Sequence, residues 1–201
     1  PEEYSVEAIR NACRNGCTFF DTAEIYSPNL SGIGHNERIV GKALHGVREQ
    51  VVIATKLFLN GFEAIGRGSV YNAVRRHLEG SLKRLGTDWV DIYYLHRMGG
   101  VSVEKIAEAM GRLIEDGLIR GWGLSQVDVP VIQKANRVTP LSAIQNIYSM
   151  VERDAEQCVI PYCLENNIGF VPFSPIASGL LSGKITVDTQ FERHDDVRNW
   201  V

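Results

Sequence analysis

Hydrophobic residues follow two alternating patterns along the chain: short continuous apolar runs, and longer segments with an apolar residue every three or four positions. The continuous runs predict buried strands near 19–21, 51–55, 90–95, 120–124, 143–147 and 169–173. The helical spacing predicts helices over 6–13, 36–44, 70–85, 103–116, 129–136 and 154–167. The sequence therefore predicts a βα repeat with six strands and a helix before the first strand.

Start and stop signals agree with several of these boundaries. Ser69 and Ser102 are suitable N-cap residues, because their hydroxyls can accept a hydrogen bond from the first helical turn. Pro130 is suited to the first turn of a helix, where its missing N–H costs nothing. Pro161 predicts a bend or a restart within the helix over 154–167.

The strand pattern also indicates the architecture. Apolar runs without alternation are typical of parallel strands that are buried on both faces. Right-handed crossovers then leave two main folds, an open doubly wound sheet or a (β/α)8 TIM barrel. A doubly wound dinucleotide domain would carry GxGxxG after its first strand, and the sequence has no such run. The sequence contains no linker that would divide it, so we expect one domain over residues 1–201.

Each predicted strand ends in, or close to, a polar or reactive side chain. These residues, in chain order, are Asp21, Lys56, His96, Ser125, Gln145 with Asn146, and Phe173 with Ser174. The strand ends of a parallel barrel share one face, and that face carries the active site. Taken singly, each residue could be an ion-pair member, a loop anchor or a core histidine, but six in succession favour a functional site.

Three of these side chains, Asp21, Lys56 and His96, suggest a specific chemistry when they are brought together with Tyr26, which is expected in the loop after the first strand. A tyrosine hydroxyl normally has a pKa near 10, and a nearby ammonium lowers it. Lys56, held charged by Asp21, would therefore make Tyr26 a general acid that works near neutral pH. His96 could donate a hydrogen bond to a substrate oxygen. The set suits protonation of a carbonyl oxygen, and it requires a hydride donor from outside.

Composition and charge narrow the range of partners. The formal charge is −3 and the pI about 6.0, which gives no electrostatic reason to predict binding to nucleic acid or to a membrane surface. The densest basic pairs, Arg75–Arg76 and Lys83–Arg84, fall on a helical pattern and are expected to form a solvated face. No apolar run approaches the roughly 20 residues that span a bilayer.

The cysteines and remaining histidines predict no metal site. The four cysteines lack CxxC spacing and have no histidine in zinc-ligand register, so we expect reduced thiols and a cytoplasmic protein. The histidines outside the predicted site are expected to face solvent; these are His35, His45, His77 and His194.

Several segments resemble the aldo-keto reductase family, a (β/α)8 barrel that reduces aldehydes and ketones with a nicotinamide cofactor. They are FFDTAEIY, VVIATK, RLGTDWVDIYYLH, GWGLS, QNIYS and FSPIASGLLSGK, and together they cover nearly the whole chain. The resemblance implies that Tyr26 is the proton donor and that Lys56 and Asp21 tune its acidity. It also implies that His96 orients the carbonyl group.

The resemblance further implies a cofactor site, with NADPH favoured over NAD by family habit alone. Ser125 and Gln145 match positions that hold the nicotinamide carboxamide, and Gln126 stands beside them where many members have Asn or Glu. Phe173 matches the aromatic residue that stacks on the nicotinamide ring. The residues matched to the pyrophosphate segment are Ser174, Ile176, Ser178, Gly179 and Leu180 to Ser182.

The family pattern extends beyond this sequence at both ends. Its first strand should precede the first helix, and its eighth strand should follow residue 201. We therefore expect residues 1–201 to hold the second to seventh strands of an incomplete barrel that is not a competent enzyme alone. The basic residues that usually take the adenosine 2′-phosphate would lie in the missing part.

The loops expected to line the substrate pocket lie around 26–35, 57–68 and 98–101. They offer Phe58, Phe62 and Met98, which favour an apolar or aromatic small-molecule carbonyl compound. The oligomeric state is not predicted.

Two other functions stay open at this stage. One is a non-catalytic nicotinamide-binding regulator similar to potassium-channel β subunits, which TKLFLNG resembles. His96 argues against it, because those subunits typically have another residue there. The other is an unrelated barrel enzyme such as a lyase or an isomerase, which would leave the segment around Phe173 unexplained.

Overall fold

Six parallel strands form one sheet whose spatial order is the order of the chain. The computed structural model describes residues 1–27, 32–66, 68–191, 196 and 198. The strands are β1 (Phe19–Asp21), β2 (Val52–Leu57), β3 (Val90–Leu95), β4 (Ile119–Ser125), β5 (Ala143–Gln145) and β6 (Gly169–Phe170). The sheet curls into a half-barrel, which confirms six consecutive strands of the predicted α/β barrel.

Seven α-helices connect or flank these strands in the described part of the chain. They are α1 (Glu2–Arg14), α2 (His35–Leu44), α3 (Gly61–Gly66), α4 (Val70–Leu85), α5 (Val103–Glu115), α6 (Val129–Val138) and α7 (Val159–Glu165). Short 3₁₀ turns span Arg48–Gln50, Asp154–Glu156 and Ala177–Ser182. Helix α3 and the turns over Arg48–Gln50 and Ala177–Ser182 were not predicted, because one or two helical turns are too short to show an apolar period.

The capping predictions have mixed outcomes. The Ser69 hydroxyl accepts a hydrogen bond from the Asn72 N–H at 3.1 Å and caps α4 as predicted. Pro130 lies in the first turn of α6. Ser102 precedes α5 but makes no side-chain cap bond, because its hydroxyl donates to the Glu104 carboxylate at 2.7 Å instead. The helix predicted over 154–167 is divided into a 3₁₀ turn and α7.

The main hydrophobic core lies between the outer face of the sheet and the helices. Helices α4 and α5 supply much of it, since their apolar positions recur along one face. Fully buried members include Ile53, Tyr93, Trp122, Val74, Leu78, Met110 and Leu113. Burying an aliphatic side chain of this size stabilises the fold by about 1.5–3 kcal/mol. This packing fixes the strands whose ends carry the candidate site.

A smaller cluster fills the inner face of the sheet. Ala54, Tyr94 and Ala143 are its buried members, and Ile92 and Val171 pack against them. A Cβ atom on the neighbouring Gly123 would lie 2.4 Å from the Tyr94 ring, so only glycine allows this ring to lie across β4. The inner face is therefore packed with side chains below the strand ends.

The edge strands differ from the prediction that both faces of every strand are buried. Phe19 in β1 is 37 % exposed, and Phe170 in β6 is only half-buried. Each of these strands has a single neighbour in the sheet, whereas β2 to β5 each have two. Apolar character in the sequence thus predicted the strands correctly but overstated the burial of the first and last.

Candidate active site

Above the packed inner face, the carboxyl ends of the strands carry polar and aromatic side chains. We call this end of the sheet the mouth. Inner-face residues are followed two positions later by polar or aromatic residues at the carboxyl ends of the strands. The pairs are Ala54 and Lys56, Tyr94 and His96, Gly123 and Ser125, Ala143 and Gln145, and Val171 and Phe173. Alternate side chains of a strand point to the same face, so these five residues share one end of the sheet.

Lys56 and Asp21 form an ion pair between neighbouring strands. The Lys56 side chain is fully buried, and its Nζ lies 2.5 Å from Asp21 Oδ2. It also donates to the Thr22 carbonyl at 2.8 Å. Burial lowers the pKa of Lys56, while the Asp21 carboxylate opposes that change. A buried ammonium requires such partners, because unpaired burial of a charge is strongly unfavourable.

Tyr26 lies in the loop after β1, above this ion pair. Its N–H donates to the Ala23 carbonyl at 3.1 Å, and its own carbonyl accepts from the Asn36 N–H at 3.1 Å. Lys56 Nζ is 5.1 Å from the Tyr26 ring centroid. The Tyr26 ring meets the His96 ring edge-on, with 5.6 Å between the centroids. The predicted Asp21, Tyr26, Lys56 and His96 are therefore together in the structure.

The pKa of Tyr26 moves in the direction opposite to the prediction. Burial raises it above its ordinary value, and the negative charge of Asp21 raises it further, while Arg97 lowers it. Lys56 faces the tyrosine ring and is paired with Asp21, so its positive charge is largely compensated. Tyr26 is consequently protonated at neutral pH, which is the state that a proton donor requires.

His96 is held as a neutral imidazole. The backbone N–H of His96 donates to the Leu57 carbonyl at 2.8 Å, which continues the ladder between β2 and β3. Burial lowers the pKa of the ring to about 4, and the positive charges of Lys56 and Arg97 add to this effect. Nδ1 is buried and has no hydrogen-bond partner among the described residues. A neutral ring keeps one N–H to donate and one nitrogen to accept.

The residues matched to the nicotinamide site lie at the ends of β4 and β5. Ser125 and Gln145 are both buried, at 3 % and 4 % exposure. Gln126 has a left-handed backbone with φ of 56°, and its N–H donates to the Gln145 carbonyl at 3.0 Å. The Gln126 side-chain oxygen accepts from the Ile147 N–H at 3.3 Å, so the Gln126 side chain is hydrogen-bonded to the backbone that follows β5.

Phe173 lies just beyond β6. It pairs with Ile147 in a parallel bridge, and its N–H donates to the Asn146 carbonyl at 3.1 Å. The ring is half-buried, which leaves part of it open at the mouth. The sequence placed Asn146 at this strand end without a role. In the structure the Asn146 side chain bonds both backbone groups of Val127, at 2.8 and 3.2 Å. It thus braces the loop that follows Ser125.

The segment matched to the pyrophosphate site has an unusual backbone. Ser174, Ala177 and Ser178 have φ values of 54°, 47° and 54°, in the left-handed region. Non-glycine residues rarely adopt this conformation, which costs about 1–3 kcal/mol each and concentrates at functional sites. The Ser182 hydroxyl donates to the Gly179 carbonyl at 2.6 Å and closes the 3₁₀ turn.

A cavity of about 430 Å³ lies against this segment. It is lined by Ser174, Ser178, Leu180, Ile147, Phe191 and Arg198, among others. Ile176 and Leu180 are 56 % and 52 % exposed, so the turn presents apolar side chains as well as backbone groups. Glu152 lines the cavity as well, so apolar walls are combined with two side chains of opposite charge, Arg198 and Glu152.

The residues predicted to line the substrate pocket lie in loops at the same end of the sheet. Phe58 and Met98 are 39 % and 40 % exposed, whereas Phe62 on α3 is 91 % exposed. Phe62 is therefore not enclosed in a pocket here. Part of the predicted pocket loop, residues 28–31, lies outside the described residues.

Two predictions of solvent-facing residues are wrong. The His77 side chain is only 18 % exposed and lies between two carboxylates, Glu24 and Glu63. Arg84 Nε lies 2.5 Å from the fully buried Glu37 carboxylate instead of extending into water. Helical spacing alone does not reveal these partners, since they come from elements distant in sequence. His194 lies outside the described residues.

The described residues contain no group of three or more His, Cys, Asp or Glu side chains that could hold a metal ion. Within the same part of the chain, no helix has the length and apolarity needed to cross a membrane. The four cysteines are free thiols.

Two sequence relatives align with most of this chain. It is 38% identical over 206 aligned residues to aldo-keto reductase YhdN of Bacillus subtilis (strain 168), covering 98% of this chain and 59% of that protein. It is 36% identical to probable aldo-keto reductase 1 of Glycine max, covering 93% of this chain and 54% of that protein. The chain thus spans between one half and two thirds of the length of these relatives.

Solved structures agree with the fold. An aldo-keto reductase from Klebsiella pneumoniae in complex with NADPH superposes with a TM-score of 0.78 and 31% identity, over 89% of this chain and 60% of that one. The glycerol dehydrogenase AKR11B4 from Gluconobacter oxydans gives a TM-score of 0.84 and 27% identity, over 99% and 62%. The model of the aldo/keto reductase family matches residues 1–201. With these matches and the geometry at the strand ends, the chain belongs to the aldo/keto reductase family.

Proposed function

We propose that this protein reduces aldehydes and ketones to alcohols with NADPH, and that Tyr26 donates the proton. The observation that carries the proposal is the convergence of the Asp21–Lys56 ion pair, Tyr26 and His96 at one end of the sheet. Alcohol formation from a carbonyl group needs an acid at the oxygen, and Tyr26 is protonated and partly open to the mouth.

The residues at the mouth fit a nicotinamide cofactor. His96 Nδ1 is a buried nitrogen without a partner in the described chain, and the half-buried Phe173 ring provides a stacking surface. Ser125 and Gln145 would hold the carboxamide, and the left-handed turn over 177–182 would receive the pyrophosphate, since backbone N–H groups in such turns bind anions. Similar structures carry NADPH or NADP.

The proposed reduction needs one proton, from Tyr26, and one hydride, from a donor outside the chain. The cofactor, when bound, supplies two electrons and a hydrogen as hydride to the carbonyl carbon. Tyr26 gives its hydroxyl proton to the carbonyl oxygen as the C=O π bond breaks, and the positive charge of Arg97 favours the resulting phenolate. The phenolate regains a proton from solvent after the alcohol leaves.

His96 and the surrounding loops orient the substrate. The neutral imidazole would donate a hydrogen bond to the carbonyl oxygen from one ring nitrogen, directing that oxygen toward Tyr26. Phe58 and Met98 give the entrance an apolar character. We therefore propose aromatic or apolar aldehydes and ketones as the substrate class. A cytoplasmic location stays a prediction from the cysteine pattern.

The test uses the full-length protein, NADPH and a panel of aromatic aldehydes, with absorbance of the reduced nicotinamide as the readout. Replacement of Tyr26 by Phe should reduce turnover by about 10²–10⁴-fold while the Kd for NADPH stays the same. Tyr4→Phe is a matched control, because Tyr4 is 76 % exposed on α1, away from the mouth. A Tyr26→Phe variant with near wild-type turnover would refute the assignment. Tight NADPH binding without turnover on any aldehyde would support a non-catalytic regulator instead.

A further inference from the structure

A cluster of charged side chains, separate from the four proposed reactive residues, joins the loop after β1 to helices α3 and α4 near the mouth. We call it the carboxylate–histidine bridge, and it consists of Glu24, His77 and Glu63. His77 Nδ1 on α4 lies 2.8 Å from Glu24 Oε2, and His77 Nε2 lies 3.1 Å from Glu63 Oε1 on α3. The first contact is a hydrogen bond, while the second is an ion-pair contact without hydrogen-bond geometry. Glu24 is only 5 % exposed.

Glu24 connects this bridge to the residues proposed for chemistry. It lies two positions before Tyr26, and its second carboxylate oxygen accepts a hydrogen bond from the Phe58 N–H at 2.8 Å. Its backbone N–H donates to the Lys56 carbonyl at 3.2 Å. One side chain therefore holds the loop carrying Tyr26 against the start of the loop carrying Phe58.

The charges around His77 favour its protonated form. Two carboxylates face the ring from the elements packed against α4: Glu24 from the loop after β1 and Glu63 from α3. The hydrogen bond to Glu24 raises the pKa of His77, burial opposes this, and the charges of Glu24 and Glu63 raise it further. Tyr93 is also close to Glu24, and burial raises its pKa so that it stays neutral. A protonated imidazole donates its Nδ1–H to Glu24 and presents its positive charge to Glu63 at the other ring nitrogen.

We propose that His77 is a positioning residue, which through Glu24 fixes the loop of Tyr26 and the backbone of Phe58 for the carbonyl substrate. The inference rests on the proposed carbonyl reduction. Without His77, Glu24 would be a nearly buried carboxylate whose remaining partner is the Phe58 N–H, and it would turn toward water. That movement would release Phe58 and loosen the substrate side of the mouth. The residues proposed for the cofactor lie on β4, β5 and the segment after β6, so their binding geometry would stay.

The bridge also predicts a pH dependence with a definite sign. The folded-state pKa of His77 lies above its ordinary value, so the stabilising contacts are complete at acidic pH. They are lost as the pH rises through that raised pKa. The substrate KM of the wild-type protein should therefore increase over this range, whereas the cofactor Kd should not follow it.

The experiment compares His77→Gln and the milder Glu63→Gln in the full-length protein. The control is His45→Gln, because His45 is an exposed residue at the end of α2, outside both the mouth and the bridge. Hydrogen exchange of the Phe58 amide should be roughly tenfold faster in His77→Gln, as expected for loss of a charge-assisted hydrogen-bond network. The KM for an aromatic aldehyde should rise several-fold while the Kd for NADPH is unchanged, and the pH dependence of KM should disappear.

The readouts separate this proposal from the proposed function. Unchanged exchange at Phe58 in His77→Gln would overturn the positioning role whether or not the protein reduces aldehydes. An equal rise in the KM for the aldehyde and in the Kd for NADPH would also overturn it, since such a rise would indicate a merely structural residue. If His77→Gln does not fold, Glu63→Gln decides: a lowered His77 pKa by NMR with faster Phe58 exchange supports the bridge, and no change in either refutes it. A wild-type protein that shows the exchange effect but reduces no aldehyde would contradict only the proposed reaction.

Discussion

The charge on Lys56 should control the protonation of His96, and replacing Lys56 by Met tests this directly. Burial is the larger cause of the lowered His96 pKa, and the positive charge of Lys56 is the second. The substitution removes the charge but keeps an unbranched side chain in the buried site. We therefore expect the His96 pKa to rise above about 4 and to stay below its ordinary value of about 6.5.

The size of the change follows from the geometry. Lys56 Nζ lies 5.1 Å from the Tyr26 ring centroid, and the His96 centroid lies 5.6 Å from the same point. The two charges are thus at most about 11 Å apart, where a dielectric constant of about 20 gives roughly 1.5 kcal/mol. That energy corresponds to about one pH unit. The His96 pKa in Lys56→Met should therefore rise toward its ordinary value by about one pH unit or more.

The assay is an NMR titration of the histidine rings in the full-length protein. In the wild type, only about one His96 ring in a thousand should be protonated at pH 7, against about one in four for an unperturbed histidine. Lys42→Met is the matched control, because Lys42 is exposed and pairs with Glu2 on the surface. Titration of wild-type His96 near 6.5, or the same His96 pKa in wild type and Lys56→Met, would refute the electrostatic reasoning.

The same lowered pKa makes stability depend on pH. The folded-state pKa of His96 lies below its unfolded value, so its contribution is present above about pH 6.5 and is lost as the pH falls toward about 4. One pH unit corresponds to about 1.4 kcal/mol, and solvent screening of this half-buried ring reduces the total to about 1–2 kcal/mol. Urea unfolding at pH 7 and pH 4.5 measures it. The wild type should lose this free energy of unfolding between the two pH values, and His96→Gln should not.

Two further predictions concern the cofactor and the base of the sheet. Phe173→Ala should weaken NADPH binding and slow hydride transfer, because the half-buried ring is the proposed stacking surface; an unchanged Kd would indicate that the ring only packs in the core. Asp91→Ala should lower the free energy of unfolding by about 3–5 kcal/mol, because it leaves Arg48 and the Ile53 N–H without their buried partner. Urea unfolding measures this loss, and Asp116→Ala, at an exposed ion pair with Arg75, should change stability much less.

The order of elements and the polar residues at the strand ends could be predicted from the sequence because both depend on local patterns. Continuous apolar runs specify parallel strands, and the residue directly after such a run lies at the strand end whatever the rest of the chain does. Asp21, Lys56 and His96 follow this rule. In the parallel register Asp21 is opposite Ala54 and Lys56 is opposite Tyr94, so the three residues are staggered by two positions from strand to strand. The resemblance to known reductases added the roles, which the strand pattern alone does not contain.

The sign of the Tyr26 pKa change was predicted wrongly because it depends on depth and direction in three dimensions. The sequence predicted that Lys56 pairs with Asp21 near Tyr26, but not that the ammonium faces the tyrosine ring or how deeply the tyrosine is buried. Burial of the hydroxyl then becomes the larger influence.

What the sequence by itself determined is the six-strand βα order and the set of polar residues at the strand ends. These features depend on periodicity along the chain, which is local. Only the tertiary structure decided that His77 is held between Glu24 and Glu63, that Arg84 binds Glu37, and that β1 and β6 are partly exposed. Each of these depends on contacts between elements far apart in sequence, and an isolated helical or strand pattern carries no information about its partner across the fold.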